Sequence, residues 1–523
     1  MWKNLDTRLA FNELVKSECV SLKKALTKNR IQEFVVEGSA GFQFLYGARQ
    51  VDKNILAILQ ELADESHIQD KFKALVSGEV INLSENRMVL HHLTRGQLAG
   101  SVIEGNVDKR AFYTNELQKI RTFCESVHSG KITSTSGKPF TDVVQIGIGG
   151  SDLGPRACCI ALQNYAIRTK TAKLQPHFIS NVDPDDAFQV LYNLGERLDT
   201  SLFILVSKSG TTQETLANEQ LVKAYLKDAG LNPSKQMVTV TSETSPLAKS
   251  SDYLQAFFMD DHIGGRYSST SVCGGVILSL SFGFDVFESF LQGAHLADKD
   301  ALNPSIFENP SLLDALIGVY ECSVLGFPAT AILPYSQGLS RFPAHLQQLD
   351  MESNGKTVNR FGEPITYKTG PLIFGESGTN GQHSFYQSLH QGCHCIPLQF
   401  IGFANSQGGL DIQSSGSTSQ EKLNANLIAQ IVAFARGKDD SNKNKHFNGE
   451  RPSSLLFCKN ALTPESLGYL LAHYENKIMF QGFVWNINSF DQEGVQLGKV
   501  LTKTILSGGA DETIQAYMKA ISK

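Results

Sequence analysis

Short apolar runs alternate with longer segments of helical periodicity through most of the chain. "DVVQIGIGG", "HFISN", "SLFILVS" and "QMVTVTS" read as strands, and "GPRACCIALQNYA", "DDAFQVLYNL" and "QETLANEQLVKAYLKDAG" between them read as helices. Strands alternating with helices predict a parallel sheet covered on both faces. The alternation returns later, with strands in "ATAILPYS", "PLIFGES" and "CIPLQFIGFA" and helices in "FPAHLQQLDMES", "HSFYQSLHQ" and "NANLIAQIVAFARG". Residues 1–104 read mostly as helices, residues 437–454 as a polar surface loop, and "VLTKTILSGGADETIQAYMKAISK" as a closing helical arm. The pattern predicts an α/β protein with doubly wound parallel sheets. Its expected divisions are an N-terminal helical segment belonging to the large domain (1–104), a small α/β domain (105–285), a large α/β domain (286–503) and a C-terminal helical arm (504–523).

One internal echo supports two similar sheets in tandem. "SKSGTT" at Ser207–Thr212 recurs loosely as "GESGTN" at Gly375–Asn380, each after an apolar strand and before a helix.

Bulk properties narrow the function classes. A chain of 523 residues exceeds one ordinary core, and a net charge of −5 argues against a general nucleic-acid binder. The start "MWKNLDTRLAF" lacks a signal-type apolar run, and the most apolar stretch, "VCGGVILSLSFGFDVF", is too short to span a membrane and contains Asp285. Nine scattered cysteines suggest reduced thiols in a cytoplasm. The expected protein is cytoplasmic, with no nucleic-acid or membrane partner.

The candidate chemistry sits at turns. In "ILVSKSGTTQET" a strand runs into Ser207, Lys208, Ser209, Gly210, Thr211 and Thr212 at a helix start. Thr211 as N-cap with Glu214 at the third helical position would be a capping box. That leaves Ser207, Lys208, Ser209 and Thr215 unexplained, whereas free N–H groups, hydroxyls and a lysine suit a phosphate. "IGIGGSDLGP" brings Gly150 and Ser151 to another strand-to-helix turn, without the third glycine of a dinucleotide fingerprint or a Walker lysine. In "LQQLDMESNGK", Gln348 and Glu352 share a helix face, with Asn354 and Gly355 as the stop signal. Glu352 lies in the last turn, where the helix dipole disfavours an anion, a setting that suits a base. Arg266 follows a Gly-Gly turn, and His383 follows a Gly-rich turn at a helix start. Gln492, Gln496 and Lys499 share one face of a helix expected after Asn488 and Ser489. Cys393, His394 and Cys395 are too close together for a standard zinc site, so no metal is expected.

Taken together, "IGIGGSDLGP", "SKSGTTQET", "DHIGGRYS", "LQQLDMESNGK", "GTNGQH" and "INSFDQEGVQLGK" resemble the glucose-6-phosphate isomerase family in order and interval, across about residues 78–503. "INLSENRMVLHHLTR" is similar to that family's N-terminal helical segment. The resemblance implies two sugar-isomerase (SIS-type) domains, no cofactor, and a homodimer in which His383 crosses to the partner's site. It implies that Ser207, Lys208, Ser209, Thr212 and Thr215 hold the phosphate of a sugar phosphate. Glu352 corresponds to the base at C2, His383 and Lys499 to the ring-opening pair, and Arg266 to the cation that stabilises the intermediate. Gly150, Ser151, Gln348 and Gln492 match residues that contact the sugar. Two positions depart from the common pattern: Gly210, where many relatives have Phe, and Glu493, where many have Trp. A phosphosugar sensor would keep the cradle but need no base, which the joint presence of Glu352, His383, Arg266 and Lys499 argues against.

Overall fold

The computed structural model describes residues 1–522. It contains thirteen strands in three sheets. β1 (Val35–Glu37) and β2 (Phe42–Leu45) form a hairpin, and β3 (Ile103–Glu104) and β4 (Val107–Asp108) form a separate two-stranded ribbon. β5 (Asp142–Ile146), β6 (Gln175–Ile179), β7 (Ser201–Val206), β8 (Met237–Thr241) and β9 (Ala256–Phe258) make one sheet, ordered β6-β5-β7-β8-β9 and parallel throughout. β10 (Ala329–Pro334), β11 (Leu372–Gly375), β12 (Leu398–Phe403) and β13 (Ser453–Cys458) form the parallel part of another sheet, ordered β1-β2-β13-β12-β10-β11. There β2 pairs antiparallel with β13, so residues 35–45 extend the second sheet.

Both sheets are doubly wound, and their parallel parts share one order: the chain starts mid-sheet, places its second strand on one side and continues on the other. Every residue of β5, β7 and β8 is buried, as expected for strands covered on both faces. The Gly375–Asn380 echo does not mark equivalent places, however. Ser207 follows β7, the third parallel strand of its sheet, whereas Gly375 ends β11, the second of its own.

Several elements lie outside the predicted pattern. The short strands β1, β2 and β9 are three to four residues each, too brief to show alternation. β13 begins inside the stretch read as polar loop, because two buried serines, Ser453 and Ser454, open it. The last arm is two exposed helices, Gln496–Leu506 and Glu512–Ile521, so the arm starts before residue 504.

The helix Pro464–Trp485 is the axis of the larger core. Thr463 caps it, Pro464 opens it, and Asn486 in the left-handed region (φ 57°) ends it. All residues from Ser466 to Trp485 are buried, the mark of a helix surrounded by others. Gly468 lets it approach the helix Phe284–Ala301, since a Cβ there would meet Phe290 O at 1.9 Å. The charges that this burial encloses are paired: Arg95 bridges Asp298 (2.6 Å) and Glu475 (2.5 Å), and Lys477 lies 3.2 Å from Asp314. Among the described residues no helix is long and apolar enough to cross a membrane, and all nine cysteines are free thiols.

Candidate active site

In an open parallel sheet, ligands bind beyond the carboxyl ends of the strands where the winding direction reverses. In the first sheet that point lies between β5 and β7. The turns that follow these two strands, 147–151 and 207–212, form one wall of a cleft of about 510 Å³.

The first turn is held close to a second one. A Cβ on Gly150 would lie 2.2 Å from the Gly265 carbonyl carbon, so only glycine allows the two backbones this contact. Ser268 Oγ donates to Gly265 O (2.6 Å) and braces the 3₁₀ turn Gly265–Tyr267, which carries Arg266.

The second turn differs from the capping box. The helix Gln213–Asp228 has Thr212 as its N-cap residue, and no side chain caps it. Thr211 instead turns out to solvent and bonds Ser209 Oγ (3.0 Å). Ser207 Oγ accepts from Gly210 N–H (3.1 Å) and donates to Thr212 Oγ1 (3.3 Å), which folds the loop upon itself with Gly210 at φ 66°. The helix start is therefore left open toward the cleft, with Ser207, Lys208, Ser209, Thr212 and Thr215 around it. Lys208 Nζ donates to Ile263 O (3.0 Å) and Asp261 O (3.4 Å). Burial lowers its pKa from the ordinary lysine value, and the nearby charge of Arg87 lowers it further, against the pull of Asp261 and Glu85.

Glu352 and Gln348 enter from the second sheet's side. The helix Phe342–Gln347 continues as a π-turn over Gln348–Glu352, and the helical run stops at Asn354 before Gly355. The widened turn sets both side chains along the cleft, and Gln348 Oε1 has no hydrogen-bond partner there.

Arg266 is fixed on all sides. Its Nε donates to Ser353 Oγ (2.7 Å), its Nη1 to Gln492 Oε1 (3.1 Å), and its Nη2 to Ser489 O (2.7 Å) and Asp491 O (3.0 Å). A guanidinium carries five N–H donors, so one on Nη1 is left over. Nη1 lies 3.4 Å from Glu352 Oε2.

Gln492, Gln496 and Lys499 close the cleft, although the helix that carries Lys499 begins only at Gln496. Asn488 is not a helix cap: its amide donates to Asn82 Oδ1, Ser84 Oγ and Asp491 Oδ2. Gly150, Ser151, Ser207, Lys208, Ser209, Thr212, Thr215, Arg266, Gln348, Glu352, Gln492 and Lys499 thus line one cleft. His383 does not. It sits exposed at the end of the 3₁₀ turn Asn380–His383, outside the residues of this wall. A larger cavity of about 910 Å³ opens beside the cleft and shares Gln348, Glu352, Gln492 and Val495 with it.

The cleft also contains residues to which sequence alone assigns no role, Glu85 and Arg87 from the N-terminal segment and His262, together with Glu214, read from the sequence only as part of a capping box. Among the described residues no group of three His, Cys, Asp or Glu side chains could hold a metal ion.

The family model described as Phosphoglucose isomerase matches residues 46–520. A protein of Treponema denticola named glucose-6-phosphate isomerase is 61% identical, over 99% of this chain and 99% of its own. One of the same name from Treponema pallidum (strain Nichols) is 58% identical, over 99% of this chain and 97% of its own. The crystal structure of a glucose-6-phosphate isomerase from Chlamydia trachomatis matches with a TM-score of 0.92 at 40% identity, covering 99% of each chain.

Proposed function

The chain belongs to the phosphoglucose isomerase family, and on that premise we propose how its residues divide the work. The protein interconverts D-glucose 6-phosphate and D-fructose 6-phosphate, the step that glycolysis and gluconeogenesis share. The open helix start at Gln213, with Ser207, Lys208, Ser209, Thr212 and Thr215, holds the phosphate. Gly150, Ser151, Gln348 and Gln492 contact the sugar.

His383 and Lys499 open the ring by moving protons at O5 and O1. Glu352 takes the C2 proton, a cis-enediolate forms, and Glu352 returns the proton to C1. Arg266 meets the negative charge that develops on the enediolate. Metals and cofactors take no part in this scheme. The observation that carries it is the pairing of Glu352 with a guanidinium held by four other contacts, 3.4 Å away. A cation fixed before reaction stabilises charge without reorganising at the moment of transfer.

The working form is a homodimer in the cytoplasm, and His383 serves the partner's site. Two features support this: His383 stands exposed away from its own cleft, and the larger cavity beside Glu352 leaves room for an entering segment.

A sugar-phosphate analogue with a planar hydroxamate in place of C1 and C2 tests the role of Arg266. Such a mimic of the intermediate should bind about 10²-fold more tightly than substrate, and Arg266→Lys should remove most of that margin. Equal weakening of substrate and analogue would assign Arg266 to ground-state binding instead.

A further inference from the structure

We propose that Arg87, delivered by the N-terminal segment, is a phosphate-recognising residue of this cleft, a second cation that Glu85 holds ready. This rests on the isomerase reading of the site and adds to it a residue of the "INLSENRMVLHHLTR" stretch to which sequence alone assigns no role.

The segment is built to present this side chain. Asn82 and Arg87 pair through their backbones (3.1 and 3.0 Å), which closes the turn between them. Ser84 Oγ donates to Asp491 Oδ2 (2.6 Å), and Asn82, itself buried, donates to Glu85 Oε2 (3.0 Å). The turn is thus tied to the loop that also holds Arg266.

Glu85 is fully engaged. It accepts from Asn82, from Gln492 Nε2 (3.1 Å) and from Arg87 Nη1 (3.2 Å). Arg87 is not. Its contact with Glu85 uses one nitrogen, and among the described residues the remaining N–H groups of its guanidinium have no hydrogen-bond partner. Its side chain is 36% exposed and lines the same cleft as Lys208, Ser207 and Thr212.

Two cations and an uncapped helix start therefore face one space, and the two cations disfavour each other until an anion enters. Lys208 is poorly placed to hold a dianion alone, because it is a single charge and two carbonyls already take two of its three ammonium donors. A planar guanidinium with free N–H groups supplies what a phosphate accepts best, two parallel hydrogen bonds. Glu85 also links this end of the cleft to the other, since Gln492 donates to Glu85 and accepts from Arg266.

The test uses the purified full-length protein at constant ionic strength, with inorganic phosphate as a competitive inhibitor. Arg87→Met should raise the inhibition constant of phosphate and the KM for glucose 6-phosphate by roughly 10- to 100-fold, with a much smaller fall in kcat. Arg87→Lys, which keeps the charge and loses the fork, should fall between that variant and wild type. An inhibition constant within about twofold of wild type in a folded Arg87→Met protein would overturn the proposal. If that variant does not fold, an unchanged constant in Arg87→Lys would overturn it equally. Lys208→Ala separates this failure from that of the broader reading. If Lys208→Ala weakens phosphate and Arg87→Met does not, the cradle stands without Arg87. If neither does, the phosphate reading of the cleft falls as well.

Discussion

The Glu352 carboxylate lies 3.4 Å from the Arg266 guanidinium, and the two come from different parts of the chain. Glu352 ends a π-turn on the second sheet's side, and Arg266 sits in a 3₁₀ turn pressed against Gly150 at the edge of the first. Ser353, the residue after Glu352, accepts from Arg266 Nε, so the two groups are tied by neighbouring side chains as well. Both groups line the cleft between the sheets.

A shared dimeric site has a distinctive complementation. Chains carrying Glu352→Gln and chains carrying His383→Ala are expected to be crippled separately. In a mixed dimer one site receives both lesions and the other receives neither. Random assortment makes half the dimers mixed, each with one intact site, so about a quarter of wild-type activity should return on co-expression. The measurement requires His383→Ala alone to retain well below that level. No recovery in confirmed mixed dimers would place His383 and Glu352 in the same chain's site.

Asp350 gives the π-turn a pH-dependent stability. Burial pushes its carboxyl up to about 7, with the charge of Asp314 adding to the rise and Lys477 opposing it. The unfolded chain's aspartate titrates near ~3.9. Between these values the folded protein keeps a proton that the unfolded chain has lost. The stabilisation is therefore full below pH ~4 and disappears as pH rises through about 7. Asp350→Asn resembles the protonated form. Its Tm should match wild type near pH ~4, begin to exceed it above that, and exceed it by roughly 2–4 °C at pH 8. An offset that does not change with pH would contradict this.

Much of the cleft was legible because its residues cluster in turns at strand ends, where glycines and hydroxyls stand out. Ser207–Thr215 and Gly147–Ser151 needed only their position after an apolar run. The π-turn at Gln348–Glu352 was not legible, because the choice between the two hydrogen-bond patterns is made by packing and leaves the order of residues unchanged. The helix start at Gln213 was misplaced because Thr211 and Thr212 are equally good caps locally, and the loop's contacts with Ser207 decide between them. Glu85 and Arg87 carried no periodic signal. Their place depends on contacts such as Ser84 with Asp491, 407 residues apart. The doubly wound, parallel character of the two sheets was readable, whereas their strand order and the joining of β1 and β2 to β13 were not, since pairing partners leave no local mark.

The central claim is that Glu352 carries the proton between C2 and C1, and isomerisation in deuterated water measures it directly. During turnover the wild-type protein should exchange part of that proton with solvent and release labelled product. Glu352→Gln should still bind substrate within a few-fold, lose at least ~10³ in kcat, and incorporate no deuterium at C1 or C2 above background. Label entering the product at near wild-type rate in Glu352→Gln would show that another group is the base.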